Sequence, residues 1–142
     1  MERKLGQTQA VGFQFGIRKT FSRPKEEMVK FMFSESGLKI WLGELDDDLE
    51  INKSFRTQNG IEGFIRVFVP GSHIRLNWKK KDWENNSTLQ LRIIENGKKT
   101  TISIHQEKLL DTKQREEMKK YWNEIMGNLT DTILNLKEQR LN

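Results

Sequence analysis

The strongest constraint on this chain lies near its C-terminal end, from Asp111 to about Leu136. Met118, Trp122, Ile125, Leu129, Ile133 and Leu136 recur at steps of three and four. At about 100° per residue they fall on one narrow stripe. Glu117, Lys120, Glu124, Asp131 and Glu138 take the opposite side. The pattern predicts a long amphipathic helix with Asp111 or Thr112 as its N-cap. Such a helix needs an apolar surface to lie on, and the preceding chain supplies one.

Phe13, Phe15 and Ile17 alternate with Gln14, Gly16 and Arg18, which predicts a half-buried strand running to about Phe21. Ser22-Arg23-Pro24 then opens a helix, with Pro24 in the first turn and Glu26 and Glu27 near the positive end of the dipole. Met28, Phe31 and Met32 are its apolar stripe. After Ser34-Glu35-Ser36-Gly37, a second short helix is predicted from Leu38 to Leu42, stopped by Gly43.

From Leu49 onward the pattern is strand after strand. Leu49 and Ile51 alternate with Glu50 and Asn52. Ile61 to Val69 is apolar on both faces, with Glu62 and Arg66 marking the wetter side, and Pro70-Gly71 turns the chain. Ile74, Leu76 and Trp78 follow, then a polar loop from Asp82 to Asn86, then Leu89, Leu91 and Ile93. Asn96-Gly97 signals a hairpin before Ile102 and Ile104. Short turns between consecutive strands imply an antiparallel sheet. A sheet with one apolar face has that face covered. The long helix is the cover and the short pair closes one end, giving an α+β layer arrangement.

Composition narrows the classes. A chain of 142 residues is expected to form a single domain, 1–142, with 1–11 as a loose N-terminal tail. The lack of Cys excludes disulfides, thiol catalysis and thiolate metal sites. No apolar run approaches the roughly 20 residues of a membrane span, and the N-terminus lacks the apolar core of a signal peptide. The expected location is cytoplasmic. The net charge of +5 favours anionic partners slightly, but the basic residues are dispersed in sequence, with Lys79-Lys80-Lys81 as the only triplet.

Several stretches together carry a resemblance. They are Phe21 with Pro24, the group Leu38, Trp41, Leu42 and Gly43, and Gly63 with Pro70. Ile74-Arg75-Leu76-Asn77-Trp78 and Ser87-Thr88-Leu89-Gln90-Leu91 come next, then Thr100 to Glu107, then Trp122 with Leu129. In this order and spacing, from about Phe13 to Leu136, the chain resembles the helix-grip fold of the SRPBCC superfamily, also called START-like or birch-pollen-allergen-like. Within it, the chain is similar to the branch named for the activator of Hsp ATPase homologues. The resemblance implies a curved antiparallel sheet wrapped round a long C-terminal helix, with two short helices after the first strand and a cavity between sheet and helix. Members of the superfamily include lipid and hormone binders, cyclases, hydrolases and co-chaperone domains, with no shared catalytic set. The co-chaperones carry a further N-terminal domain, for which these residues are not expected to have room.

The candidate site is that cavity. Alternation sends Ile65, Val67, Leu76, Trp78, Leu89, Leu91, Ile102 and Ile104 toward the helix, which returns Met118, Trp122, Ile125, Met126 and Leu129. Trp41 is placed at the mouth. The ligand-pocket candidates are therefore Trp41, Ile65, Val67, Leu76, Trp78, Leu91, Ile104, Met118, Trp122 and Met126. The same residues at the same spacing also describe a filled core. Met adapts to irregular gaps and to varied ligands. The expected partner is an apolar or amphipathic small molecule, with no cofactor and no metal.

The alternatives are a protein-interaction domain using Trp83 as an exposed contact in the polar loop, and a cyclase- or hydrolase-type enzyme. The enzyme reading needs titratable groups inside, and alternation places none there. His73 lies beside a turn. His105 points outward with Thr101 and Ser103, within reach of a surface contact to Glu107. Asp46-Asp47-Asp48 lacks the ligand spacing of an EF-hand loop and reads as a solvated loop. Trp78 to Trp83, bracketing three lysines, is a weak nucleic-acid signal without a recognition helix or aromatic strand pair. Gly127 points away from the apolar stripe of the last helix, and nothing in the sequence explains it.

Overall fold

The computed structural model describes the backbone of residues 7–8 and 12–141 and the side chains of 12–136. Two strands come first, β1 (Gln7–Thr8) and β2 (Gly12–Phe21). The short helices α1 (Lys25–Met32) and α2 (Glu35–Trp41) follow. Five more strands are β3 (Ser54–Arg56), β4 (Ile61–Val69), β5 (His73–Lys80), β6 (Ser87–Asn96) and β7 (Lys99–Leu109). The long helix α3 (Thr112–Leu141) ends the chain. All seven strands form one antiparallel sheet in the order β1-β2-β7-β6-β5-β4-β3. This is the expected α+β helix-grip arrangement.

The long helix caps as the sequence predicts. The Asp111 carboxylate accepts the Gln114 N–H at 2.8 Å, and the Gln114 side chain reaches back to the Leu110 N–H at 2.8 Å. Met118, Trp122, Ile125, Leu129 and Ile133 are buried along its stripe. The hairpin between β6 and β7 turns through Gly97, whose φ of 66° suits glycine at the first central position.

Four expectations are corrected. The segment read as a loose tail contains β1, which pairs Gln7 with Phe13 and Thr8 with Gly12; the rest of that stretch, before Gly12, lies outside the described residues. The second helix starts at Glu35, three residues early, because the Ser34 hydroxyl caps it by accepting the Gly37 N–H at 3.1 Å. Leu49 and Ile51 form no strand. Ile51 is exposed and Asn52 sits at a φ of 63°, so the chain turns there, and the strand comes later as β3. Pro24 is the N-cap of α1 and lies just before its first turn.

The close packing of β4 against β5 has one visible requirement. A Cβ on Gly63 would lie 1.7 Å from the Asn77 carbonyl oxygen, with the Phe55 ring also against it. Helix α3 packs closest to β2 and α2. Three hydrogen bonds anchor it along that half of the sheet. Arg115 Nε donates to the Gln14 carbonyl at 2.7 Å, Arg23 Nη2 to the Ile133 carbonyl at 3.0 Å, and Trp122 Nε1 to Gln106 Oε1 at 2.7 Å. On the β5 side it is held by Lys80 Nζ to Glu117 Oε2 at 2.6 Å and by the Asn85–Gln114 amide pair.

Candidate functional site

Between the sheet and α3 the space is filled by large rings. Trp78 of β5 meets Trp83 at 5.3 Å, Tyr121 at 5.7 Å and Trp122 at 6.0 Å between ring centroids, and Tyr121 meets Trp122 at 5.0 Å. Edge-on and tilted geometries dominate, as the ring quadrupoles favour. Aliphatic side chains complete the interior: Ile65, Leu76, Leu91, Ile104 and Met118 are all fully buried, and Met126 nearly so. Nine of the ten predicted pocket residues are therefore brought into one packed core.

The exception is Val67. A β-bulge between Ile65 and Val67 shifts the register, so Val67 pairs with outward Arg75 and Phe68 takes the inner position against Ile74. Because Val67, Phe68 and Val69 are apolar whichever way they point, alternation could not reveal the shift. Trp41 lies at no mouth either. It is fully buried between α1 and α2, against Phe33, with its indole N–H donating to the Met32 carbonyl at 2.8 Å.

Two indoles in this core differ in one respect. Trp122 Nε1 donates to Gln106, Gln106 Nε2 donates to Ser87 Oγ at 2.8 Å, and Ser87 Oγ donates to the Trp78 carbonyl at 2.5 Å. All four residues are fully buried, so this chain fastens α3 to β5, β6 and β7. Trp78 Nε1 is equally buried and has no partner; it is the one such side-chain atom among the described residues. An orphaned buried donor costs roughly 1–3 kcal/mol. Burial also pushes the Tyr121 hydroxyl pKa up to about 12 from its usual 10. Gln106 and Tyr121 were missed by the sequence reading. Gln106 shares parity with inward Ile102 and Ile104, and that was the available signal.

The remaining candidates scatter. Trp83, expected to be exposed, is buried against Trp78. His105 Nε2 bonds Gln14 Oε1 at 3.0 Å, while Glu107 pairs with Arg75 at 3.0 Å, so the two do not pair with each other. His73 Nδ1 bonds Ser72 Oγ at 2.8 Å. Asp46 and Asp47 border a cleft of about 740 Å³ beside β3 and β4, on the side away from α3, lined also by Arg56, Phe64, Arg66 and Lys79. A smaller cleft of about 440 Å³ lies between α1 and the end of α3, lined by Arg23, Phe31 and Leu136. None of the ten predicted pocket residues lines either cleft. Around Gly127 an added Cβ would meet open space, so no packing demands a glycine there.

No curated protein matches the chain by sequence. Solved structures do match its fold. CalU16 from Micromonospora echinospora superposes with a TM-score of 0.74 at 20% identity, over 82% of this chain and 73% of that one. An Hsp90 activator from Plasmodium falciparum, PFC0360w, gives 0.70 at 19% identity, over 86% and 96%. The Aha1 dimer from Colwellia psychrerythraea gives 0.69 at 12% identity, over 83% and 93%. At these identities the likeness is one of fold. The family model described as Activator of Hsp90 ATPase homolog 1-like protein matches residues 24–133, from the opening of α1 to the last buried turn of α3. The chain belongs to that family, within the SRPBCC superfamily.

Proposed function

We propose that this chain is a small-molecule binding module whose ligand lodges between the sheet and α3, at the cluster of Trp78, Trp83, Tyr121 and Trp122. One observation carries the reading: the Trp78 indole, packed among the Trp83, Tyr121 and Trp122 rings, has a buried N–H without an acceptor. A ligand with an apolar, ring-shaped body and one hydrogen-bond acceptor satisfies that donor and replaces ring contacts with ring contacts. The interior is filled in this structure, so binding displaces Trp83 and the 81–86 loop that carries it. Among the described residues the titratable groups at the cluster are Tyr121 and, over its ring at 5.5 Å, Lys80 Nζ, which is paired with Glu117; the reading involves no catalysis. Cytoplasmic location belongs to the same proposal; the structure adds that no described helix is long and apolar enough to cross a membrane.

The test compares benzophenone with diphenylmethane, two molecules of similar shape of which only the ketone accepts a hydrogen bond. Tryptophan fluorescence and thermal shift should show the ketone binding about fivefold or more tightly, the worth of one net hydrogen bond. Trp78→Phe should abolish the difference. No shift with either compound, or an equal shift with both, overturns the reading.

A second reading, a chaperone-linked interaction domain, is favoured by the family match and by the Plasmodium falciparum neighbour. The surface first expected to serve it does not exist, since Trp83 is buried.

A further inference from the structure

The outward side of the sheet collects charge that the sequence disperses. Strand pairing aligns His73, Arg92, Ser103 and Arg18 in one row across β5, β6, β7 and β2. The next row holds Arg75, Gln90 and His105, and the outermost pair is Glu62 with Lys79. Arg56 lies opposite Glu62, and Arg66 Nη1 lies 3.5 Å from outward Asn77. The face thus carries Arg18, Arg56, Arg66, Arg75, Lys79 and Arg92 against Glu62 and Glu107. Those two carboxylates are taken by Lys79 and Arg75. Asp46 and Asp47 line the cleft at the β3–β4 end of the face together with Arg56, Arg66 and Lys79, whereas Arg18 and Arg92 do not line it. Arg18, Arg56, Arg66 and Arg92 are exposed and make no ion pair among the described residues.

The geometry points to a docking surface for an acidic segment of a partner protein on this face, beyond the interior site proposed above. Arg18 and Arg92 flank Ser103 two strands apart, roughly 10 Å between backbones at the usual strand spacing. That is about the reach of three residues in an extended segment. Free guanidinium groups donate bidentately to carboxylates; the Ser103 hydroxyl lies between the two, and the Gln90 amide sits in the next row beside Arg75. Phe64 and Val69 are exposed on the β4 margin of the same face and offer an apolar contact beside the charges. Single-stranded nucleic acid stacks its bases on several aromatic rings, and Phe64 is the one Phe, Tyr or Trp ring among the residues paired on this face.

The experiment titrates the whole chain with a fluorescein-labelled Glu-rich peptide carrying one Phe, read by anisotropy at low salt. Single-stranded RNA and phosphatidylserine vesicles are run in parallel. The expected result is saturable peptide binding that weakens with salt and falls about tenfold or more in the Arg18→Glu, Arg92→Glu double variant. The Lys39→Glu, Lys98→Glu variant, with the same charge change elsewhere, should keep the affinity within about twofold. Arg18→Gln with Arg92→Gln repeats the test should the reversal disturb folding, and Trp78→Phe should leave peptide binding unchanged. Equal losses in the two reversal variants, tighter binding of RNA or vesicles than of peptide, or no peptide binding overturns the assignment.

Discussion

Trp122 and Trp78 sit ring to ring, equally buried, yet their indole N–H groups meet opposite fates. Trp122 is the first donor in a chain that runs through Gln106 and Ser87 to the Trp78 carbonyl. Trp78 lends its carbonyl to that chain and leaves its own side-chain donor without an acceptor. The same residue type at the same depth therefore does two jobs. One indole holds the fold together, and the other keeps a polar atom unused at a cost the fold tolerates. Burial alone does not distinguish the two indoles; hydrogen-bond completion does.

The largest test of this contrast is Trp122→Ala. It removes a fully buried ring and strands Gln106, so a loss of about 3–5 kcal/mol is expected in urea unfolding. A loss below about 1 kcal/mol would break the comparison. Trp122→Phe and Trp78→Phe are chemically the same change and should differ in outcome. The first leaves Gln106 Oε1 without its donor and should cost roughly 1–3 kcal/mol; the second removes an orphan and should stay within about 1 kcal/mol of the native protein. Equal losses would mean the Trp78 donor has an acceptor in solution.

Tyr121 touches both rings and gives a pH test. Its neutral form is favoured on folding, because its pKa is raised from 10 to about 12. Above pH 10 the unfolded chain releases that proton while the folded chain keeps it, so stability falls as pH rises from about 10 to 12. After allowance for the solvent that reaches the ring, the loss is on the order of 1–2 kcal/mol. Tyr121→Phe should flatten that part of the profile. The smallest effect is a calibration: Gly127→Ala points into open space and should add about 0.5–1 kcal/mol. It should raise the native protein and both Phe variants alike.

The sequence made the rod and its cover legible because both rest on long periods. The stripe from Met118 to Leu136 repeats over five turns, and β5 and β6 alternate cleanly. Where the period was short or absent, the reading failed. Leu49 and Ile51 offered only two repeats, and the backbone at Asn52 decided for a turn. The bulge at Arg66 lay in a stretch apolar on both faces, so Val67 carried no sign of its direction. Trp83 looked exposed among polar neighbours because loop composition says nothing about where a single ring folds back. The cationic face was invisible for another reason. Arg18, Arg75 and Arg92 are far apart in sequence, and only strand register, a property of pairs of strands, sets them side by side.

The anchoring of α3 has a mechanical consequence. Along β2 and β7 it is tied by side-chain donors to backbone and amide oxygens, two of them from arginine guanidinium groups. Along β5 it leans on rings, one lysine–glutamate contact and one amide pair. The long helix is therefore tied by hydrogen bonds on both margins, while the indole and phenol rings cluster on the one toward β5; under the proposed reading a guest exchanges contacts there and leaves the guanidinium ties of the other margin in place.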